Sequence, residues 1–206
     1  MENKKSRKEK ASETKKKIFE TATMLINTKG YDQVTVSEIC KAAGLAKGSF
    51  YVHYSSKEDI VRESYYSDMG AYVTTRYQSF LHEQPQSSAV ERMAFFLNLE
   101  LEFANYAGYT LTCLAYSMNL GACVPGTSEH FAKRAFTKLL YQEIEASQPL
   151  VMVNFSCDEI FNYLESLVRG LMATWCFSNQ TFDIVEQGGK YIARALYSIY
   201  GAAGPV

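Results

Sequence analysis

Apolar residues recur at three- and four-residue steps along most of the chain, and no segment alternates with a period of two between tight turns. The pattern predicts helices throughout. In the first, over residues 13–29, Ile18, Ala22, Leu25 and Ile26 fall on one helical face. Gly30 suits a left-handed C′ position, with Tyr31 folding back on Ile26 as in a Schellman ending. A second helix starts at Thr35. There a Thr precedes Glu38 by three residues, a capping box, and Val34 and Ile39 supply the matching hydrophobic staple. It runs over 36–43 and stops at Gly44, where small Ala42 and Ala43 let two helices approach and glycine supplies the unusual backbone angles. A third short helix follows over 46–53. Helix, glycine-containing turn and helix of these lengths suit a DNA-binding helix-turn-helix.

The remaining pattern is longer-ranged. Ser55 or Ser56 caps a fourth helix, with Glu58 and Asp59 in its first turn, where negative charge is favoured. It continues to about residue 82 with Tyr65, Met69, Tyr72, Arg76 and Phe80 along one side. A break at 84–88 contains Pro85; helices over 89–107 and 109–121, a loop over 121–126, and a helix over 128–147 follow. Gln148 and Pro149 break the chain again before helices over 157–178 and 182–200. The expected fold is all-α, and no internal repeat is visible.

Composition narrows the class. At 206 residues, 47% hydrophobic and 14% aromatic, the chain holds a sizeable core and most of it is not disordered. No apolar run approaches the roughly 20 residues a membrane span needs. The charged N-terminus reads as no signal peptide, so no membrane contact and a cytoplasmic location are expected. Cys40, Cys113, Cys123, Cys157 and Cys176 include no CxxC pair and read as reduced thiols, so no metal and no cofactor are expected. The charge is unevenly placed. Residues 1–57 carry 12 Lys and Arg against 6 Asp and Glu, and residues 58–206 carry 9 against 16. Residues 1–12 read as a flexible basic arm. A basic head on an acidic body fits a polyanion met by the head, although a lysine-rich head is often only a solvated tail.

The segment TVSEICKAAGLAKGSFYVHYSSKEDI, residues 35–60, closely resembles the helix-turn-helix of TetR-family regulators. That family's pattern is roughly T-x-x-x-I-x-x-x-A-G-V-S-x-G-x-[FL]-Y-x-[HY]-F-x-x-K-x-x-L. The resemblance implies a three-helix DNA-binding domain over 13–57, including the helix-turn-helix, and a larger helical ligand-binding and dimerisation domain over 58–206. It places Lys47, Gly48 and Ser49 at the end of the recognition helix that faces the major groove. Lys47 is expected to donate to guanine O6 and N7 or to a nearby phosphate, Ser49 to a base edge or a phosphate, and Gly48 to let the backbone come close. Ala46 stands where the family often has Ser, Arg or Asn, which removes a cap and a polar contact. Tyr51 and Lys57 resemble the family's phosphate-binding tyrosine and lysine. Thr35 caps its helix and can touch a phosphate. His53 either contacts the backbone or has no role. Phe50, at the family's apolar position, is a core anchor; Tyr54 places its ring in the core and its hydroxyl at the surface.

In the body, Met69, Tyr72, Phe103, Tyr106, Tyr109, Cys113 and Tyr116 can line an apolar pocket for an effector or serve as ordinary core. Glu100, Glu102 and Arg76 are the candidate polar anchors. Leu164, Leu167, Val168, Leu171, Trp175, Ile192 and Leu196 on the last two helices are either intrachain core or the interface of a homodimer. The family's usual dimer, and the need to read two half-sites about 34 Å apart, favour the interface. The expected partners are a double-stranded, pseudo-palindromic DNA operator, a small hydrophobic or aromatic effector and a second copy of the chain. Repression is the family's usual mode. A DNA-binding regulator or architectural protein without an effector is the alternative. The chain has only His53, His82 and His130, and no HExxH, GxSxG, GxGxxG or P-loop spacing, so no enzyme is expected.

Overall fold

The structure, a computed structural model, describes residues 6–123 and 134–201. Helix α1 (Arg7–Lys29) begins well before its apolar stripe. Ser6 caps it, accepting from the Glu9 N–H while the Glu9 carboxylate accepts from the Ser6 N–H. This second capping box turns the latter half of the expected flexible arm, residues 7–12, into helix; residues 1–5 lie outside the described residues. The other end also differs from expectation. Gly30 takes a positive φ of 84°, but its ψ of 149° is extended, so no left-handed Schellman turn forms.

Helix α2 (Val36–Ala43) starts as its sequence demands. The Thr35 N–H donates to Glu38 Oε2 at 3.0 Å and the Glu38 N–H donates to Thr35 Oγ1 at 3.2 Å. Gly44 is left-handed at φ 64°, and its N–H closes on the Cys40 and Lys41 carbonyls. Helix α3 (Lys47–His53) follows without a side-chain cap at Ala46. Ile18, Ala22, Ile26, Ile39 and Phe50 are fully buried among these helices.

The next rod is continuous but not uniform. Ser56 caps α4 (Lys57–Asp59), the backbone then makes a π-helical turn over Ile60–Ser64, and α5 (Tyr65–Glu83) continues the rod. The π turn is unexpected. It buries Ile60, Val61 and Ser64. Tyr54 departs from expectation as well: its hydroxyl is buried and hydrogen-bonded to the Ser64 hydroxyl rather than placed at the surface.

Helix α6 (Ala89–Ala107) is the central post of the body. It packs against α5, α8 (Thr137–Ser147), α9 (Cys157–Phe177) and α10 (Ile184–Tyr200). Met93, Phe96, Leu97, Leu101 and Phe103 are buried around it. Gly188 of α10 has a packing reason, because a Cβ there would collide with Leu101 of α6. A polar clasp joins three helices: Glu143 of α8 accepts from Tyr77 at 2.6 Å and from Arg92 at 2.7 Å. Helix α7 (Tyr109–Cys123) continues through Gly121, where a loop was expected; 124–126 lie outside the described residues. The helix expected over 128–147 starts only at Thr137, after a bend at Arg134 and a turn; 128–133 are likewise outside. Among the described residues no helix is long and apolar enough to cross a membrane.

Lys57 joins the head together. Its ammonium donates to the Tyr31 carbonyl at 2.6 Å and the Val34 carbonyl at 2.9 Å, and lies 3.9 Å from the centre of the Tyr31 ring. Charge-assisted bonds of this kind contribute about 1.5–3 kcal/mol each at best. Lys57→Ala is therefore expected to destabilise the fold by about 1.5–3 kcal/mol. Urea unfolding followed by tyrosine fluorescence checks this; an unchanged midpoint would show that the α1–α2 loop holds without it.

Candidate nucleic-acid interface and effector grooves

One side of α3 is fixed by Phe50, which is buried. The opposite side must then face outward, and it carries Lys47, Gly48, Tyr51 and Val52. Tyr51 is 57% exposed and Val52 80% exposed. Ala46, Lys47 and Gly48 are exposed, while Ser49 and His53 are half-buried. A Cβ on Gly48 would meet nothing within 4 Å, so a surface can approach the backbone there. Thr35 is exposed at the start of α2, with its hydroxyl held by Glu38 at 3.0 Å. These residues share one open face around the helix-turn-helix. Lys57 departs from the expected set, because its ammonium is turned inward onto the α1–α2 loop. Val52 was not among the expected contacts. The signal was available: Val52 stands four residues after Gly48, on the side opposite Phe50.

The expected pocket residues do not form one pocket. Tyr72, Phe103 and Tyr106 line a groove of about 340 Å³ between α1, α5 and α6, with Phe19, Asp68 and Arg76. Their rings contact one another at 5.6–6.1 Å between centroids, and the Arg76 guanidinium lies 4.4 Å from the Tyr72 centroid. Met69 is buried in the core instead. Tyr109 packs on Trp175 and donates to the Cys176 carbonyl, and Tyr116 donates to Met172 Sδ at 3.1 Å. Cys113 lies against Cys176, whose thiol is pushed up to about 12 first by burial and then by its hydrogen bond with Cys113. Of the candidate anchors, Glu102 accepts from Tyr72 at 3.4 Å, Arg76 lines this groove and Glu100 is fully buried.

A larger groove, about 1020 Å³, lies between α5, α7 and the turn before α8. Its walls include Arg62, Glu63, Tyr66, Gly70, Arg134 and Phe136. None of these was expected as a ligand contact. Close by, Glu100 of α6 and Glu165 of α9 are both fully buried. Arg169 donates from Nε and Nη2 to Glu165 at 3.0 and 2.8 Å and lies 3.8 Å from Glu100. Drawn as two carboxylates, Glu100 has no donor to either oxygen. Burial, and then the Glu165 charge, raise the Glu100 pKa well above the carboxylate range. A retained proton resolves both facts: Glu100 stays neutral and donates to Glu165, while Glu165 and Arg169 form the ion pair.

Residues 18–63 match the family model for bacterial regulatory proteins of the tetR family. This chain is a TetR-family transcriptional regulator. The HTH-type transcriptional regulator AcrR of Shigella flexneri is 22% identical to it over 92% of this chain and 90% of its own. The negative transcriptional regulator IcaR of the Staphylococcus epidermidis biofilm operon icaADBC is 44% identical, over 24% of this chain and 27% of its own. Among solved structures, the fatty acid degradation regulator FadR from Bacillus halodurans superposes with a TM-score of 0.64 at 18% identity, covering 94% of this chain and 97% of its own. FadR from Bacillus subtilis in complex with stearoyl-CoA gives 0.56 at 18%, covering 89% and 98%. The two structures show the shared fold. The family and these relatives are regulators, not enzymes.

In this TetR-family chain the last two helices are arranged differently from expectation. Leu164, Val168, Leu171, Trp175, Ile192 and Leu196 are buried within the monomer, and Leu167 is half-buried. They close the core against α6 and α7 rather than face a partner. The outward side of α9 carries Tyr163, Ser166, Gly170, Thr174 and Phe177, and that of α10 carries Tyr191 and Tyr197. The stripe reading found the buried side because apolar periodicity reports burial, whatever covers it.

Asp68, in the smaller groove, has its pKa raised from 3.8 to about 6 by burial, against the lowering effect of Lys15 and Lys16. The folded state then holds a proton that the unfolded state has released between about pH 4 and 6. Ionised Asp68 therefore opposes folding above pH 6, and the penalty fades as pH falls through 6 toward 4. Asp68→Asn is expected to raise the melting temperature at pH 7.5 and to give a smaller gain at pH 5. Thermal melts of both proteins across that range check the sign; a gain that grows on acidification contradicts it.

Proposed function

We propose that this regulator is a homodimeric repressor that leaves its DNA operator when a small hydrophobic or aromatic effector enters the body. Three observations support the parts. The face of α3 bearing Lys47, Gly48, Tyr51 and Val52 is open, while Phe50 holds the helix from behind. The small outward residues Ser166, Gly170 and Thr174 of α9 suit close packing on a second copy, flanked by exposed Tyr163 and Phe177. The observation that carries the effector reading is the π turn. Arg62 and Glu63 belong to it and also line the larger groove, so one segment is both ligand wall and link to the reading helices.

Binding then acts by linkage. An effector that favours one seating of the π turn tilts α4 and α3 in each subunit and changes the separation of the two reading helices. The coupling is reciprocal and of the order of 1–3 kcal/mol. Lys47 and Ser49 take base edges or phosphates, Val52 a thymine methyl, and Tyr51 with the start of α2 at Thr35 take phosphates. Lys57 acts through the α1–α2 loop it holds. The protein works in the cytoplasm on a pseudo-palindromic duplex.

The test is selection of bound fragments from the source genome by the purified chain, followed by sizing of the free protein. A dimer on a fragment with two related half-sites is expected; a monomer, or no enrichment, rejects the reading. A compound screen for release of the selected fragment then tests the effector. On that operator, Lys47→Ala and Val52→Ala are each expected to relax preference at one base pair by about 1–3 kcal/mol. Tyr51→Phe should weaken binding evenly across sequences. A panel of single-base operator variants separates the two patterns, and equal effects of all three changes would remove the distinction.

A further inference from the structure

We propose that the groove between α5 and α7 takes an amphipathic carboxylic acid, its carboxylate held by Arg134 and its apolar part lying along Tyr66, Ala71, Ala122 and Phe136. The assignment rests on the effector reading above and deepens it, by naming the chemistry of the ligand.

Three charged side chains line the groove: Arg62, Glu63 and Arg134. Two are already balanced. Arg62 is ion-paired with Asp59, and Glu63 lies 3.6 Å from the Lys15 ammonium. Arg134 has no acidic partner within ion-pair distance among the described residues, and its Nη1 is buried without a hydrogen-bond acceptor. Its guanidinium stacks on Tyr66 at 3.4 Å from the ring centroid, which fixes its plane. A planar guanidinium held on the Tyr66 ring, with a terminal nitrogen that lacks an acceptor, matches a carboxylate far better than a neutral or cationic group.

The nearby acids do not reverse this sign. Glu100 and Glu165 are fully buried and neither lines the groove. With one proton kept between them, their remaining charge is met by Arg169. The cluster behind Tyr66 is thus neutral, and the charge facing the groove is the Arg134 cation. The rest of the wall is uncharged: Ser67, Thr74, Thr75 and Asn119 add neutral polar groups, and Gly70, Ala71, Ala122 and Ala135 leave room for a chain. That combination selects a molecule with one anionic end and an apolar body.

The experiment uses the whole chain and three probes of equal chain length: decanoate, decylamine and decanol. Calorimetric titration is run on the wild type and on Arg134→Gln, with binding to the selected operator fragment measured for both. Decanoate is expected to bind the wild type at least tenfold more tightly than either other probe, and Arg134→Gln to lose that advantage while still binding the operator. Tenfold corresponds to about 1.4 kcal/mol. Decylamine or decanol binding as tightly as decanoate overturns the assignment, as does an unchanged decanoate affinity in Arg134→Gln or no decanoate binding at all. Release of the operator by decylamine, by decanol or by another compound would leave the effector reading standing without this one. If Arg134→Gln loses operator binding, Arg134→Lys serves in its place: it keeps the charge, loses the planar fork, and is expected to bind decanoate with intermediate affinity. A decanoate affinity in Arg134→Lys equal to that of the wild type then counts against the oriented fork.

Discussion

The reading helices join the body through one stretch of backbone, Tyr54 to Tyr65, and two buried hydroxyl pairs hold its ends. Tyr54 is bonded to Ser64 across the π turn, and Tyr65 is bonded to Thr112 of α7 at 3.0 Å. A buried hydroxyl left without a partner costs about 1–3 kcal/mol. The link therefore moves most cheaply as a unit with both pairs intact. Ser64 and Tyr65 are neighbours in sequence, so displacement of α7 against α5 reaches Tyr54, and through it the C-terminal end of α3. A second tie, from Asn27 of α1 to the Ala107 carbonyl at 2.8 Å, joins head to body beside the same α7 start. The head is thus hung from the α6–α7 corner at two points, which turns a shift in the body into a tilt rather than a free swing.

The core beneath this corner is not built for stability alone. Two fully buried glutamates and an arginine occupy a place where leucines would pack without desolvation cost. Apolar replacement of such clusters is often neutral or stabilising, whereas removal of one member leaves a buried charge unpaired. Arg169 shows the balance: burial alone would lower its pKa, yet the ion-paired Glu165 carboxylate opposes this and the net shift is upward. What the cluster does supply is an internally balanced polar tie between α6 and α9, behind the Tyr66 and Arg134 side chains. The core behind the groove is therefore balanced, and the sign of the groove is left to Arg134 in its wall.

Much of the head was legible in the sequence because each of its residues answers to a local rule. Thr35 and Glu38 announce a helix start, Gly44 needs a left-handed turn, and Phe50 must be core if the residues around it are to face outward. The misses there have equally local causes. The Ser6 and Glu9 capping box was hidden by the charge around it, which suggested a solvated arm. The inward turn of Lys57 was hidden because its acceptors are backbone carbonyls 23 and 26 residues earlier, and carbonyls leave no trace in side-chain patterns. The π turn escaped because Ile60, Val61, Ser64 and Tyr65 are as compatible with an α-helical stripe as with one extra residue in the turn.

The body's helices were legible and its grooves were not, for a reason of the same kind. Apolar periodicity identified which side of α9 and α10 is buried but could not say whether the cover is α6 of the same chain or a second subunit. Aromatic richness identified Tyr72, Phe103 and Tyr106, which do line a groove, together with Met69, Tyr109 and Tyr116, which are held by core contacts. The larger groove is defined by small side chains, Gly70, Ala71, Ala122 and Ala135, and small side chains are common in any helix. Gly70 has its meaning only in three dimensions: a Cβ there would come within 3.1 Å of the Phe136 ring, so the glycine sets how closely α5 and the start of α8 approach. A space of this sort depends on distances between helices far apart in sequence. Its chemistry follows from which charges remain unpaired once the fold has closed, and that is decided by packing rather than by any run of residues.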